Sequence, residues 1–391
     1  MKFYFLNRCF LFGSILLCSS TLFAEQVETS DFYKFSVNFI DLGMYSDESM
    51  VGDHTTNAAS LVFNANLKLK SDNYNLGDIN IQYYLNHVNE DSQLNTSTNW
   101  MGGVGSYVGG AIAGNDISPT QLSQVTWDKK WSDDLYTSLG RTNLRRHFLY
   151  NNCGNPVLCT DPIKAAMGSI PVTYGYWGGY LKYNLTDKIY FHTGLYEVNI
   201  DDYINKKHGL DFSATKRLGE TQVYSFGYQI NEVNKIEALY FYNNSEYKNA
   251  YTKESYKGVD GFNVRFDYSL DTNKSPTLFG SYSYINEENQ AYKNYWELGA
   301  NYKLSGFFKN IGVKYGESLL NNDFVKQTEL VNGNTHKNTS FVSVDTKFKY
   351  KKLSLSPFAQ YIWNPDNFYQ AKGEVLDRNL ILGVFTQFQL Y

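Results

Sequence analysis

Residues 261–269 read GFNVRFDYS. Phe262, Val264, Phe266 and Tyr268 fall on one side of an extended chain, with Asn263, Arg265 and Asp267 on the other. Successive side chains of a strand point to opposite faces, so a period of two marks a strand with one apolar and one wet face. The alternation returns in WELGANYKL (296–304): Trp296, Leu298, Ala300, Tyr302 and Leu304 oppose Glu297, Asn301 and Lys303. In VSVDTKFKY (342–350), Val342, Val344, Phe348 and Tyr350 oppose Ser343, Asp345, Lys347 and Lys349. Such dyads exclude amphipathic helices over these stretches.

Working outward, sixteen segments of this kind cover the chain: 34–43, 59–70, 78–88, 121–131, 134–141, 174–184, 187–197, 221–230, 235–243, 260–269, 275–285, 293–304, 309–318, 339–350, 353–363 and 379–391. Many approach the length that a tilted transmembrane strand needs, about ten residues. The odd-numbered connections are mostly long, as at 44–58, 89–120, 142–173, 198–220, 244–259, 319–338 and 364–378. The even-numbered ones are mostly tight, as at Trp131–Asp134, Asn184–Asp187 and Asn231–Asn234. Long loops on one rim and short turns on the other mark an outer-membrane barrel with both termini on the short-turn side. Connections 71–77 and 286–292 are equally short but fall on opposite rims, which leaves a shift of one hairpin open.

Period alone does not separate a barrel from a soluble β-sandwich with the faces reversed. The segments are long for a sandwich, whose strands run nearer five or six residues. The apolar face also carries aromatics at segment ends, among them Trp127, Trp131, Tyr183, Tyr350, Tyr361 and Trp363. The last segment, LILGVFTQFQLY, closes on an aromatic residue, although Leu382, Val384, Phe388 and Leu390 are out of phase with Tyr391. Aromatics make up 17% of the chain, with Tyr 34 and Phe 26, yet the mean hydropathy is −0.43. Two interfacial girdles need that many rings; an aqueous globule does not. The expected class is all-β, a transmembrane antiparallel barrel of about 16 strands with short periplasmic turns and long extracellular loops.

The first residues read as an export signal: Lys2 and Arg8, an apolar run from Phe10 to Leu17, and a small residue at Ala24. Cleavage after Ala24 is expected, which makes 25–33 a short periplasmic lead-in and 34–391 the barrel. A lipid anchor at Cys18 is disfavoured by the bulk of Leu17. Of 35 basic residues, 33 remain without Lys2 and Arg8, against 39 acidic, a net charge of −6. That balance excludes a basic grip on nucleic acid. No later stretch reaches the length of a spanning helix, and lipid tolerates no open sheet edge, so a membrane-crossing chain of this kind must close into a barrel.

Catalytic signatures are missing. Gly103, Gly105 and Gly109 form no dinucleotide fingerprint, Ser106 sits in no G-x-S-x-G elbow, and His54, His87, His147, His192, His208 and His336 are scattered with no metal-binding spacing. No enzyme activity, cofactor or metal is expected.

The inner face of a sixteen-strand barrel surrounds an aqueous channel. Here it would carry Asn64, Asn66, Lys68, Asn80, Gln82, Tyr84, Gln124, Tyr180, Lys182, Arg265, Asp267, Glu297, Asn301, Lys303, Asp345 and Lys347. Amides and charges exchange hydrogen bonds with hydroxyls, and tyrosine rings offer an apolar face to a sugar ring. Any barrel wall facing water has a similar composition, so the set is informative only collectively.

One stretch stands apart. LGRTNLRRHFLYNNCGNPVLC (139–159) gathers Arg141, Arg145, Arg146, His147, Cys153 and Cys159 at the start of a long outer connection. In an oxidising compartment the two cysteines are expected to form a disulfide rather than remain thiols. Folded inward, the loop would set the cations across the channel; left at the rim, they would meet anionic lipopolysaccharide.

Residues 121–199 resemble the carbohydrate-selective porins of the OprB type. The resemblance rests on VTWDKKWSDDLYTSLGR, then HFLYNNCGNPVLC, then YGYWGGYLKYNLTDKIYFHTGLYEVN with its Trp-Gly-Gly and Gly-x-Tyr-Glu-Val-Asn, and on the glycine-containing loop before ISPTQLSQVTWDKKW. It implies a sixteen-stranded outer-membrane porin that passes small sugars, monosaccharides such as glucose especially, through a constriction lined by basic residues on inward-folded loops. Its partners would be outer-membrane lipid and lipopolysaccharide, sugars or ions in transit, and two further copies in a homotrimer. The matched positions are Gly140, Arg141, Phe148, Cys153 and Cys159. Past the leader with its Arg8, arginines are few elsewhere, only Arg217, Arg265 and Arg378, so an extended arginine ladder is not expected. The rivals are a general or otherwise selective porin of the same fold, and a structural or adhesive barrel.

Overall fold

A computed structural model of the chain describes residues 32–48, 54–71, 74–88, 120–148, 161–168, 175–199, 210, 217–248, 255–269, 276–286, 290, 292–323, 325–326, 329, 336–365 and 377–391. The leader, the Gly-rich stretch 101–114, and Cys153 and Cys159 with their expected disulfide lie outside the described residues.

Sixteen strands follow one another: β1 (Tyr33–Ser46), β2 (Thr55–Ser71), β3 (Tyr74–Val88), β4 (Thr120–Lys130), β5 (Leu135–Thr142), β6 (Tyr176–Asn184), β7 (Ile189–Asn199), β8 (Arg217–Gln229), β9 (Lys235–Lys248), β10 (Ser255–Tyr268), β11 (Thr277–Ile285), β12 (Tyr292–Lys303), β13 (Phe308–Leu320), β14 (Asn338–Tyr350), β15 (Leu353–Trp363) and β16 (Arg378–Gln389). Each pairs antiparallel with the next, and β1 pairs with β16, so the sheet closes without an edge. The closing ladder runs from Asn38↔Gln389 to Ser46↔Ile381. Below it, Val37 N–H donates to the Tyr391 carbonyl at 3.1 Å, and Tyr391 N–H donates back at 3.2 Å. The described wall thereby has no open sheet edge, the condition for strands in hydrocarbon.

The strands coincide with the sixteen alternating segments, and the strand order puts a connection at each of the two short places in doubt, between β2 and β3 and between β11 and β12. β8, β9 and β10 extend four or five residues beyond their apolar dyads. Their outer ends carry polar residues on both faces, and a register shift between Lys257 and Val259 breaks the period there. No described helix is long and apolar enough to cross a membrane.

The outward face is apolar and accessible, with Leu195, Phe226 and Leu298 each about half exposed. The inward face is packed. One buried cluster joins Ile40, Leu42, Met44, Val62, Tyr84, Phe341, Ile362 and Ile381 on β1–β3 and β14–β16. A second sets Leu144, Phe148, Ile163, Ala166 and Met167, from the connection between β5 and β6, against Val223, Leu239, Phe241, Val259 and Ile285 of β8–β11.

A channel narrowed by the connection between β5 and β6

The connection starts with a capped turn. The Asn143 side chain accepts the Arg145 amide at 3.0 Å and opens a 3-10 turn over Leu144–Arg146. Tyr176 Oη accepts the Leu144 amide at 3.0 Å, which ties the turn to β6. Phe148 then lies flat on His192 of β7, ring centroids 4.8 Å apart, and edge-on to Tyr180 at 5.5 Å. Gly194 makes this possible: a Cβ there would come within 2.8 Å of the Phe148 ring and 2.6 Å of Tyr196. The glycine of the Gly-x-Tyr-Glu motif is thus the space that receives the loop.

Farther on, α1 (Ile163–Ala166) is fastened to the wall beyond. Asp161 Oδ1 accepts the Ile163 amide at 3.0 Å, and its Oδ2 accepts Ser283 Oγ at 2.6 Å and Asn263 Nδ2 at 3.2 Å. The Ala166 carbonyl accepts Asn243 Nδ2 at 2.9 Å, and the Met167 carbonyl accepts Thr221 Oγ1 at 2.7 Å. These donors stand on the inner faces of β8, β9, β10 and β11. The described residues 161–168 of the connection between β5 and β6 therefore lie inside the barrel, against the inner faces of these four strands.

The cationic candidates occupy distinct places. Arg141 is fully buried in the strand layer, its Nε donating to the Leu122 carbonyl at 3.1 Å beside the register shift of β3 and β4. Arg145 and Arg146 ride on the 3-10 turn and are half-buried. The Arg146 guanidinium donates to Gln82 Oε1 and, at 3.4 Å, to Ser123 Oγ. His147 stacks on Tyr180 with centroids 4.1 Å apart. Burial pushes His147 down to about 4 and Arg145 down to about 10, so at neutral pH the imidazole is neutral and the guanidinium charged. Asp161 is raised by burial, offset by the hydrogen bond from Ser283, and Lys164 is lowered by burial and then by the nearby Arg145.

The wall candidates share the inner face. Gln82 Nε2 donates to Asn64 Oδ1 at 2.6 Å, Asn66 donates to Asn80 at 2.8 Å, and Gln124 Nε2 donates to Thr126 Oγ1 at 2.9 Å. Tyr84 lies buried beside Arg146. Lys182 Nζ sits 4.8 Å from the centre of the Tyr190 ring. Arg265 pairs with Glu237, Asp267 with Lys235 at 3.3 Å, and Glu297 with Lys314 at 2.9 Å. Asp345 neighbours Lys314. Lys68, Lys303 and Lys347 stand toward the short-turn rim, apart from the loop; Lys68 is register partner of Asp78 and Lys347 of Asn310. Asn301 faces Thr277 in register.

Sequence reading did not single out Asp161, Lys164, Lys314 or Glu237. Lys314 shares parity with Gly312 and Gly316 on the inner face of β13, a signal that could have found it. Asp161 and Lys164 carry no periodic mark, because their places follow from tertiary docking. Among the described residues no group of His, Cys, Asp and Glu is placed to hold a metal ion.

A family model for OprB, the carbohydrate-selective porins, matches residues 80–390. The chain belongs to the OprB family. The match extends well beyond 121–199, where the resemblance is legible by motif. OprB of Pseudomonas putida superposes with a TM-score of 0.76 at 19% identity, covering 92% of this chain and 94% of that one. A Rh. blastica porin mutant superposes at 0.51 with 10% identity, covering 91% and 99%. Vibrio cholerae OmpT gives 0.50 at 10% identity, covering 93% and 100%. No curated protein sequence matches the chain. As a member of the OprB family it is a carbohydrate-selective porin of the Gram-negative outer membrane.

Proposed function

We propose that the channel passes monosaccharides of glucose size by facilitated diffusion, and that Arg145 and Arg146 line its narrowest part. The supporting observation is that the described parts of the β5–β6 connection, 144–148 and 161–168, pack against the inner faces of β6–β11, with both arginines on a capped turn. Guanidinium forks donate to vicinal hydroxyls, while Tyr84, Gln82 and Asn64 on the adjacent wall supply further donors, acceptors and an apolar ring face. Binding must stay weak, since a solute that binds tightly does not leave. Arg141 acts from within the wall, fastening the root of the loop. The chemistry asked of these residues is hydrogen bonding and charge alone, with no catalytic step.

A homotrimer is the proposed assembly. It is supported by a polar pair on the outward face, where Asn57 Nδ2 donates to Asp41 Oδ1 at 2.7 Å between β1 and β2. A carboxylate is costly against lipid and tolerable against another protein surface. Light scattering in detergent checks the assembly: a mass near three chains is expected, and a monomeric mass rejects it. Proteoliposome swelling checks the transport. Glucose is expected to enter, and alanine at both Arg145 and Arg146 is expected to lower glucose block of the ion current; an unchanged block would return both residues to a structural role.

A further inference from the structure

The rings that receive the inward connection are themselves held from behind. Phe148 lies on His192 and His147 on Tyr180, and a hydrogen bond of 3.1 Å joins Tyr180 Oη to His192 Nδ1. The other ring nitrogen of His192, Nε2, stands 3.3 Å from Glu237 Oε1 on β9. Ser225 Oγ of β8 donates to the same oxygen at 2.9 Å, and the Arg265 guanidinium of β10 donates to it as well. Tyr190 Oη of β7 donates to Glu237 Oε2 at 2.6 Å. Donors from β7, β8 and β10 thus converge on one buried carboxylate.

The register explains the convergence. Tyr190, Gly227, Glu237 and Arg265 lie on one rung across β7–β10. Tyr190 spans β8 because Gly227 has no side chain, and a Cβ there would strike the Tyr190 ring and hydroxyl. Arg265 alone would meet the charge of Glu237; the other three donors use the carboxylate for its direction. A carboxylate only accepts, so the His192 nitrogen facing it carries a proton. That edge of the imidazole is therefore turned to β9 and the opposite edge to Tyr180. Side chains locked by such supporting hydrogen bonds hold their neighbours more closely than packing alone does. The ring plane under Phe148 is in this way set from β9, two strands along the wall from His192.

We propose that Glu237 is a positioning residue of the constriction, holding its aperture through His192 and Tyr180, on which Phe148 and His147 rest. The proposal rests on the reading of the β5–β6 connection as the narrow part of the channel. The test is a double-mutant cycle on the full protein in planar bilayers, reading single-channel conductance and open-channel noise, with unheated gel mobility to follow the wall. Glu237→Gln keeps the size of the side chain but offers one acceptor oxygen where two now serve four donors. It is expected to raise the conductance by the same factor as Phe148→Ala, and the two changes together by that factor once rather than by its square. His192→Phe keeps a ring under Phe148 and leaves Glu237 its other donors. It is expected to reproduce Glu237→Gln, and it decides the matter where Glu237→Gln itself disturbs the wall. Wild-type conductance and noise in His192→Phe, or effects of Glu237→Gln and Phe148→Ala that multiply independently, would overturn the role of Glu237 while the constriction stood. An unchanged current in Phe148→Ala would bring down the constriction and the role of Glu237 with it.

Discussion

Phe148 and Gly194 show how one position without a side chain fixes a loop. A Cβ at Gly194 would strike both Phe148 and Tyr196. Gly194→Val is therefore expected to displace Phe148 and loosen the constriction, seen as a larger and noisier single-channel current. Phe148→Ala removes the same anchor from the other side and should weaken docking by about 3 kcal/mol, as for other buried aromatic truncations. His147 adds a pH dependence. Its folded value, about 4, lies below the ordinary 6.5, so the docked loop favours the neutral ring. Docking is then complete above about pH 6.5 and declines as pH falls through the window toward 4. Channel closures are expected to increase over that window, and His147→Phe, an uncharged ring, should flatten the response; an equally acid-sensitive variant would remove His147 from the account.

At the scale of elements, strands and loop differ in what fixes them. A strand announces itself locally, because its two faces meet lipid and lumen and the alternation is written into neighbouring residues; β10 is legible from GFNVRFDYS alone. The inward fold of the β5–β6 connection is fixed by contacts that no local pattern encodes. Ser283 meets Asp161 across 122 residues, and Thr221 meets Met167 across 54. For that reason Arg145 and Arg146 stand out in the sequence as neighbouring cations, whereas Asp161 and Lys164 carry no such mark. Arg141, one strand-parity step from Leu139 and equally assignable to channel or rim, lies in neither but within the wall, at a bulge that composition does not reveal. The docking contacts themselves are testable. Asp161→Ala leaves Ser283 and Asn263 without their shared acceptor and should release α1; measured conductance is expected to rise, while unheated gel mobility still reports an intact barrel. Loss of that mobility would mean the carboxylate supports the wall rather than the loop.

For the whole molecule, the decisive property is that lipid-facing and lumen-facing residues alternate around a sheet closed by β1 and β16. Removing Arg378 onward deletes β16 and leaves two unpaired edges in hydrocarbon, which cost several kcal/mol for each exposed backbone group. Such a truncated chain is expected to fail to insert into liposomes and to migrate as unfolded protein without heating. The likeness of fold to Pseudomonas putida OprB is on this scale too, since it covers 92% of this chain.

The hydrogen bonds between Val37 and Tyr391 bring the two extremities of the barrel within touching distance. A short peptide linker could join them, and new termini could then be opened in any of the long outer connections without removing a ladder. Covalent order is in this sense arbitrary for the cylinder, whose shape is that of a ring. The linear polypeptide, however, cannot complete its circumference until its final strand has been delivered.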